Sequence, residues 1–417
     1  MLNPIFLLLI SFIGIYLNVW FLLLTFENKS KLHEKKRPKM LPKVSILIPA
    51  YNEAKTIGKT LKSVLRLDYP KHKLDVIVID NGSTDATAEM VKKAMKTFKK
   101  FDKKLKLIRL KRPGKARALN AGLAHTKGEL IGILDADTIV TKSCLKNMVG
   151  FFEDENIGAV TNHVHIDNPK GILGVMQNIE YIFSAFSKKL LSFINALYVT
   201  PGTLSLIRKD IIKEIKFSDD TLTEDMDIAL CILKKKLKIA NCLNAIAYTA
   251  IPKTLGELAK QRIRWYRGFI ENTIKHSDVL FNKAHPHLGF FVLPFSSFMA
   301  IFIGILLTVM VFLNHLQDAI IFLRDLYYMP VYDQMSLAIS GFLDPFKFFL
   351  EPYSLITYIT ILTGTFITLL VTFHLLKVKK RKVMLLIPIY FFLFYTLIMI
   401  FWAISIFMEV FKLKKRW

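Results

Sequence analysis

Two hydrophobic patterns divide this chain. Four runs, Pro4–Phe26, Leu288–Leu313, Pro352–Leu376 and Val383–Met408, contain no Asp, Glu, Lys or Arg. A bilayer crossing needs about 20 apolar residues, so each run predicts a membrane-spanning helix. Between the first and second runs lies a block with a different rhythm, in which short apolar stretches alternate with amphipathic ones. Val44–Pro49, Val76–Asp80, Leu105–Leu110 and Leu130–Leu134 read as buried strands. Ala54–Leu67, Thr84–Thr97 (with Ser83 or Thr84 as N-cap) and Lys115–Ala124 read as helices. Strands alternating with helices predict a mainly parallel sheet covered on both faces. Further on, Ile172–Tyr198 is long, apolar and sparsely charged, and Leu255–Thr273 is amphipathic and rich in Arg and aromatics. Both patterns suit either a core helix or one lying in a membrane interface.

Composition sharpens this division. A length of 417 residues allows more than one domain, and the four runs account for much of the 53% hydrophobic content. The first run lacks a basic start and a small-x-small cleavage site, so it reads as a retained anchor rather than a signal peptide. The net charge of +25 suggests nucleic acid. However, Lys29, Lys31, Lys35, Lys36, Arg37, Lys39 and Lys43 directly follow the first run. A basic cluster there marks the cytoplasmic side and meets anionic lipid, so no nucleic-acid partner is expected. Three later spans put Lys377–Lys382 inside and Lys412–Arg416 outside, and an extra crossing within Asn314–Glu351 would reverse both. Cys144, Cys231 and Cys242 form no Cys-x-x-Cys pair, which suits a reducing compartment.

The chemistry gathers at the ends of the predicted strands. Asp135-Ala136-Asp137 follows Leu130–Leu134 and sets two carboxylates one residue apart at a strand tip. Hard cations such as Mg²⁺ are held by one or two carboxylates plus substrate phosphates, and open α/β sheets bind ligands at these ends. Ala50-Tyr51-Asn52-Glu53 closes the first strand. Asp80-Asn81-Gly82-Ser83-Thr84-Asp85 closes the second, and a carboxylate there suits a base N–H or ribose hydroxyls, although the same stretch also reads as a turn with a helix cap. Gly114-Lys115 at a helix start suits a phosphate. Thr223-Glu224-Asp225 opens a helix with acids, as helix-dipole stabilisation or as a general base. Gln261, Arg264 and Trp265 share one helix side at i, i+3 and i+4, where an Arg could clamp a diphosphate bidentately.

Together and in this order, over roughly residues 43–275, these motifs resemble membrane-embedded family 2 glycosyltransferases, similar to cellulose, chitin, hyaluronan and poly-N-acetylglucosamine synthases. The resemblance implies an α/β GT-A domain, Rossmann-like with a mainly parallel sheet, on the cytoplasmic side, plus an α-helical transmembrane domain. The division it implies is 1–27 as an N-terminal transmembrane helix and 28–43 as a basic cytoplasmic linker. Residues 44–252 would then be the GT-A domain, and 253–287 an amphipathic interface helix bearing the Gln-x-x-Arg-Trp motif. Residues 288–417 would be a C-terminal region of about three spans with interfacial helices. The nucleotide would be held by Ala50, Tyr51, Glu53, Asp80, Lys115 and Asp135, and Mg²⁺ or Mn²⁺ by Asp137 with Asp135. Asp225 would be the catalytic base with Glu224 beside it. Gln261, Arg264, Trp265, Gly202 and Thr203 would hold the pyrophosphate and acceptor end. Asn81 stands where many members carry a second Asp.

The implied activity is inverting transfer from a nucleotide-sugar, with UDP favoured over GDP, in an integral protein of a prokaryotic plasma membrane. A processive β-linked polysaccharide synthase leads. Single transfer to a lipid acceptor, giving a glycolipid or a polyprenyl-phosphate sugar, is the alternative. A transporter or receptor is disfavoured, because the acidic motifs lie outside the apolar runs, whereas transporters place charge within them.

Overall fold

The computed structural model describes residues 4–100, 104–296, 320, 323–324, 352–376, 378, 386–387 and 390–413. Contacts divide the chain into two compact units, Met1–Glu27 with Phe298–Arg381 and Asn28–Ser297 with Lys382–Trp417.

The larger unit is built on one eight-stranded sheet in the order β3-β2-β1-β4-β7-β6-β8-β5. Its strands are β1 (Val44–Ala50), β2 (Leu74–Asn81), β3 (Lys104–Leu110), β4 (Leu130–Leu134), β5 (Ile139–Val140), β6 (Ile157–Ile166), β7 (Thr203–Arg208) and β8 (Lys238–Thr249). The first four are parallel. Period-two alternation shares β1 and β2 between two cores. Ile46, Ile48, Val76 and Val78 face one core, while Leu47, Ile77 and Ile79 face the other. Burial on both faces explains why these strands read as unbroken apolar runs. Helix α2 (Ile57–Leu65) buries Ile57, Leu61 and Val64 at i, i+4 and i+7 on the first core. Helix α3 (Thr87–Lys100) adds Val91 and Phe98 to it. Helix α4 (Lys115–Leu123) packs Leu119 and Leu123 on the second core.

The second half is mixed, and the sheet as a whole remains mainly parallel, as expected. β7 runs antiparallel to β4 and β6, β6 and β8 are parallel, and β5 is antiparallel to β8. The remaining helices of this unit are α5 (Cys144–Val149), α6 (Gly171–Phe193), α7 (Lys209–Ile215), α8 (Glu224–Lys234) and α9 (Leu255–Lys275). The long apolar stretch that sequence left undecided between core and interface is α6. It buries Ile179, Phe186 and Leu190 while carrying Glu180, Lys188 and Lys189.

In the smaller unit, α1 (Pro4–Glu27) packs on α10 (Pro352–Leu375). The Thr368 hydroxyl donates to Asn18 Oδ1 at 2.8 Å. Among the described residues no helix is long and apolar enough to cross a membrane, and α1 and α10 both include residues whose side chains are not described. Most of the predicted run Leu288–Leu313 and of Asn314–Glu351 lies outside the described residues.

The described part of the fourth apolar run is a π-helical turn, Tyr390–Phe394, leading into α11 (Tyr395–Val410). Helix α11 lies along α9. Trp402 stacks on Tyr266 with ring centroids 4.1 Å apart, and Phe401 joins Met176, Leu258 and Phe394 in a shared apolar cluster. Buried Arg267 ion-pairs with Glu409 and donates to the Leu413 carbonyl at 2.9 Å. Removing one partner of a buried ion pair typically costs about 3–5 kcal/mol. Glu409→Ala should therefore lower the thermal unfolding midpoint clearly, and an unchanged midpoint would refute this role for the pair.

Candidate active site

The order β3-β2-β1-β4 places a crevice at the carboxyl ends of β1 and β4, where ligands bind in open α/β sheets. Two loops wall it and are stapled to each other. Asn52 adopts a left-handed backbone with φ of 55°. Its N–H donates to Ser83 Oγ at 3.0 Å, and its Oδ1 accepts from the Thr84 N–H at 2.8 Å. The Glu53 N–H donates to Thr87 Oγ1 at 2.8 Å, and the Ala54 N–H to Asp85 Oδ2 at 3.1 Å. Helix α3 starts at Thr87, three residues later than expected. Asp85 rather than Ser83 or Thr84 satisfies its first turn, accepting the Thr87 N–H at 3.0 Å. The hydrogen bond from the Thr87 hydroxyl holds the Asp85 carboxyl below the usual range. Gly82, at φ 77°, takes the turn conformation that favours glycine.

Asp80, which the resemblance sets against the nucleotide, sits near the end of β2. It is only 1% exposed, and its oxygens accept from the Ser83 N–H at 3.0 Å and from Arg109 Nε at 3.2 Å. Parallel register sets Arg109 opposite Asp80, so the carboxylate braces the β2 turn and pairs with its neighbour strand. Ala50 is buried in register with Asp80, while Tyr51 is exposed at the rim. Asn81, unassigned from sequence, accepts the Gly114 N–H at 2.9 Å and so draws the start of α4 to the β2 tip.

Lys115, the first residue of α4, occupies the centre. Its Nζ lies 2.9 Å from Asp135 Oδ1 and 2.8 Å from Glu224 Oε1. Burial disfavours its charge, but the two carboxylates outweigh burial and hold its pKa above the usual lysine value. Sequence placed Lys115 and Asp135 each against the nucleotide, whereas here they pair with each other. The Asp135 N–H donates to the Gly202 carbonyl at 2.6 Å. A Cβ on Gly202 would fall 2.3 Å from Asp135 Oδ2, so only glycine lets the carboxylate lie there. Behind the loop, the Thr60 hydroxyl donates to the Ala136 carbonyl at 2.7 Å. Burial, then the charges of Asp135 and Glu53, lift Asp137 to about 6.

Glu224 and Asp225 open α8. The Asp225 carbonyl accepts from the Thr200 N–H at 3.2 Å and from its hydroxyl at 2.9 Å. Burial and the Glu224 charge lift Asp225 to about 6, against the pull of Lys115 and Arg264. Helix α9 grips the turn ahead of these acids. Asn272 Nδ2 donates to Thr223 Oγ1 at 2.9 Å and to its carbonyl at 3.1 Å. The Leu222 N–H donates to Glu271 Oε2 at 2.7 Å.

The Gln-x-x-Arg-Trp set divides in two. Arg264 Nε is buried with no hydrogen-bond partner, and the guanidinium acts electrostatically on Lys115 and Asp225. Gln261 and Trp265 both contact Arg262, which is fully buried. Arg262 donates to Gln261 Oε1 at 2.6 Å, ion-pairs with Glu180 and lies 4.3 Å from the Trp265 ring centre. Sequence missed Arg262, since its neighbours carried the motif; the acid on apolar α6 was the available signal. The Thr203 hydroxyl donates to Asn162 Oδ1 at 3.0 Å inside the sheet. Sequence also gave α6 no role, yet Tyr181 feels the Asp137 charge and Lys188 that of Asp225.

Among the described residues, Asp227, Cys231 and His276 bring three ligand-type atoms within 4.8 Å of one another. Asp227 there is taken by His276 Nε2 at 2.7 Å and by Lys275 Nζ at 3.1 Å, an ion-pair arrangement joining α8 to the end of α9.

Overpacking a filled site typically costs about 1–3 kcal/mol. Gly202→Ala should destabilise on that scale, because Asp135 must move, and thermal or denaturant unfolding would measure it. An unperturbed Gly202→Ala protein would refute this close approach.

Residues 45–216 match the family model described as "Glycosyl transferase family 2". The chain is 35% identical over 229 residues to a poly-beta-1,6-N-acetyl-D-glucosamine synthase of Staphylococcus epidermidis, covering 54% of each. It is 32% identical over 264 residues to the enzyme of that name from Staphylococcus aureus strain COL, covering 62% of this chain and 63% of that one. The chain thus spans between half and two thirds of the length of these relatives. A mannosyltransferase from Pyrobaculum calidifontis, solved with GDP-Man and Mn²⁺, shares the fold at 22% identity and a TM-score of 0.58, over 87% of this chain and 99% of that one. The matched segment carries the stapled strand tips, the Asp135–Asp137 pair and Lys115, and over residues 45–216 the chain is similar to the family 2 glycosyl transferases.

Proposed function

We propose that this protein transfers a sugar from a UDP-sugar to an acceptor hydroxyl with inversion, as a processive, β-linked polysaccharide synthase at a membrane. The observation that carries this reading is Lys115 joining Asp135 to Glu224, with the unpartnered Arg264 acting on the same group. One lysine thereby ties the carboxylate pair suited to a donor diphosphate to the helix that carries the base. The names of the Staphylococcus relatives support N-acetylglucosamine as the sugar and a polysaccharide as the product. The charge-free runs and the basic stretch Lys29–Lys43 support a membrane protein with this domain on the cytoplasmic side.

The donor set fits a hard divalent cation. Asp135 and Asp137 offer oxygen ligands one residue apart, and the crowding of Asp137 by Asp135 and Glu53 is the kind a cation relieves. Asp137 with Asp135 would hold Mg²⁺ or Mn²⁺, which when bound supplies neutralising charge for the departing diphosphate. Lys115 and Arg264 bind and orient that diphosphate, Arg264 with a geometry suited to two oxygens. Asp225 accepts the acceptor hydroxyl's proton as its oxygen bonds to the anomeric carbon from the opposite face. The bond from that carbon to the diphosphate breaks, and its electron pair leaves with the nucleotide. An α-linked donor thus gives a β-linkage, and no protein nucleophile is required.

The test uses purified protein in lipid with Mg²⁺ or Mn²⁺ and labelled UDP- and GDP-sugars, with product partitioned between water and organic solvent. A large water-phase product is expected. Label in the organic phase would establish a lipid acceptor instead. Asp225→Asn should cut turnover by about 10²–10⁴-fold while sparing nucleotide binding. Retention of more than about a tenth of the wild-type rate would remove Asp225 from the base role. A base must be ionised to act, and Asp225 is lifted to about 6. At low donor, kcat/KM should therefore hold above that value and fall as pH drops through it, and a kcat/KM profile flat from pH 7.5 to about 5 would contradict the assignment.

A further inference from the structure

Beside the candidate active site lies an aromatic ladder to which the mechanism assigns nothing. β5, β8 and β6 lie side by side, with Ile139 paired to Tyr248 and Tyr248 paired to His165. Their neighbours Val140, Ala247 and Val164 are buried, and Val140 and Ala247 sit in the first core. Strand alternation therefore turns Ile139, Tyr248 and His165 to the other face. His163 shares that face, two residues before His165. The His163 and His165 rings lie 4.2 Å apart between centroids, and His165 and Tyr248 lie 5.7 Å apart. Tyr248 remains 36% exposed and His165 half-buried.

The ladder adjoins the reaction centre. Ile139 follows Asp137 by two residues and pairs with Tyr248, which places Tyr248 on the strand beside the segment that leaves the carboxylate tip. Lys188 of α6 acts electrostatically on both His163 and Asp225, which puts the ladder and the base on neighbouring sides of one lysine. The opposite side of the site, toward Lys115 and the β1 and β2 tips, carries the groups suited to the nucleotide.

We propose that Tyr248 and His165, backed by His163, form a stacking shelf for the acceptor end of a neutral saccharide. This rests on the glycosyltransferase reading above and names the acceptor class for it. Aromatic faces present apolar area to the C–H face of a sugar while their polar tips meet its hydroxyls. Burial, and for His163 the adjacent His165, disfavour the charged form of both imidazoles; His163 is pushed down to about 3 and His165 below its usual value. A neutral imidazole both donates and accepts, which matches a hydroxyl and not a phosphate. Lys188, held below the usual lysine value by burial against the pull of Asp225 and Glu180, also acts on His163.

The experiment uses the full chain in lipid, a β-linked oligosaccharide acceptor and saturating donor. Tyr248→Ala and His165→Ala should each raise the acceptor KM about three- to tenfold, leaving donor KM and nucleotide affinity unchanged. Tyr248→Trp should restore the acceptor KM, which a merely structural role would not predict. An acceptor KM unchanged in Tyr248→Ala, with wild type elongating the oligosaccharide, overturns the shelf and leaves the synthase reading standing. Parallel losses toward donor and acceptor overturn it as well. Wild-type transfer to a lipid phosphate and to no saccharide overturns both readings.

Discussion

The site depends on one half-buried cation. Lys115 spans Asp135 on the β4 tip and Glu224 at the start of α8, two elements that approach from different halves of the domain. Removing a lysine from water is costly unless its charge is matched. Here two carboxylates match it, and the fold positions all three groups through backbone contacts. Asn81 fixes the loop before Lys115, the Gly202 carbonyl fixes Asp135, and Asn272 fixes Thr223 ahead of Glu224. Each anchor is a short polar contact from a neighbouring element, so the geometry is set by the sheet and not by the flexible lysine stem.

Helix α9 serves both halves of the chemistry. It carries Arg264, and a turn later Gly268 lies so close to Thr223 that a Cβ there would fall 2.4 Å from its hydroxyl. The same helix is clasped from its other side by α11 through Arg267, Glu409 and the Tyr266–Trp402 stack. The Arg cluster of α9 therefore has three distinct tasks. Arg262 holds α6 through Glu180, Arg267 holds α11, and Arg264 is left facing the acids. Identical side chains take these roles because helical rotation aims each at a different neighbour.

The first half of the domain was legible because burial on both sheet faces writes β1, β2 and β4 as apolar runs, while the more exposed edge strand β3 interleaves apolar residues with Lys106 and Arg109. Val44–Pro49, Val76–Asp80, Leu105–Leu110 and Leu130–Leu134 all fall within β1 to β4. The mixed pairing beyond β4 was not legible, since strand direction depends on long connections and leaves no local pattern. Motif residues were found as a set but not sorted. Asn52, Asp80, Asp85 and Thr203 look like ligand groups by type, yet each is held in hydrogen bonds with neighbouring protein groups. Arg262 and Lys188 carry real electrostatic weight, but spacing could not separate them from ordinary surface charges.

The charges also bear on how a base of this kind is switched on. Asp225 is pushed up by burial and Glu224 and pulled down by Lys115 and Arg264. Those two cations are the groups best suited to a diphosphate. A donor that engages them must compete with Asp135, Glu224 and Asp225 for the same positive charge. Every share of that charge drawn to the phosphates weakens its hold on Asp225 and raises the carboxylate's proton affinity. On the proposed reading, Asp225 would be the stronger base with a donor in place and the weaker one without it. An arrangement in which Lys115 contacted only the donor side would lack this coupling; it requires one lysine to touch both Asp135 and Glu224, as it does here.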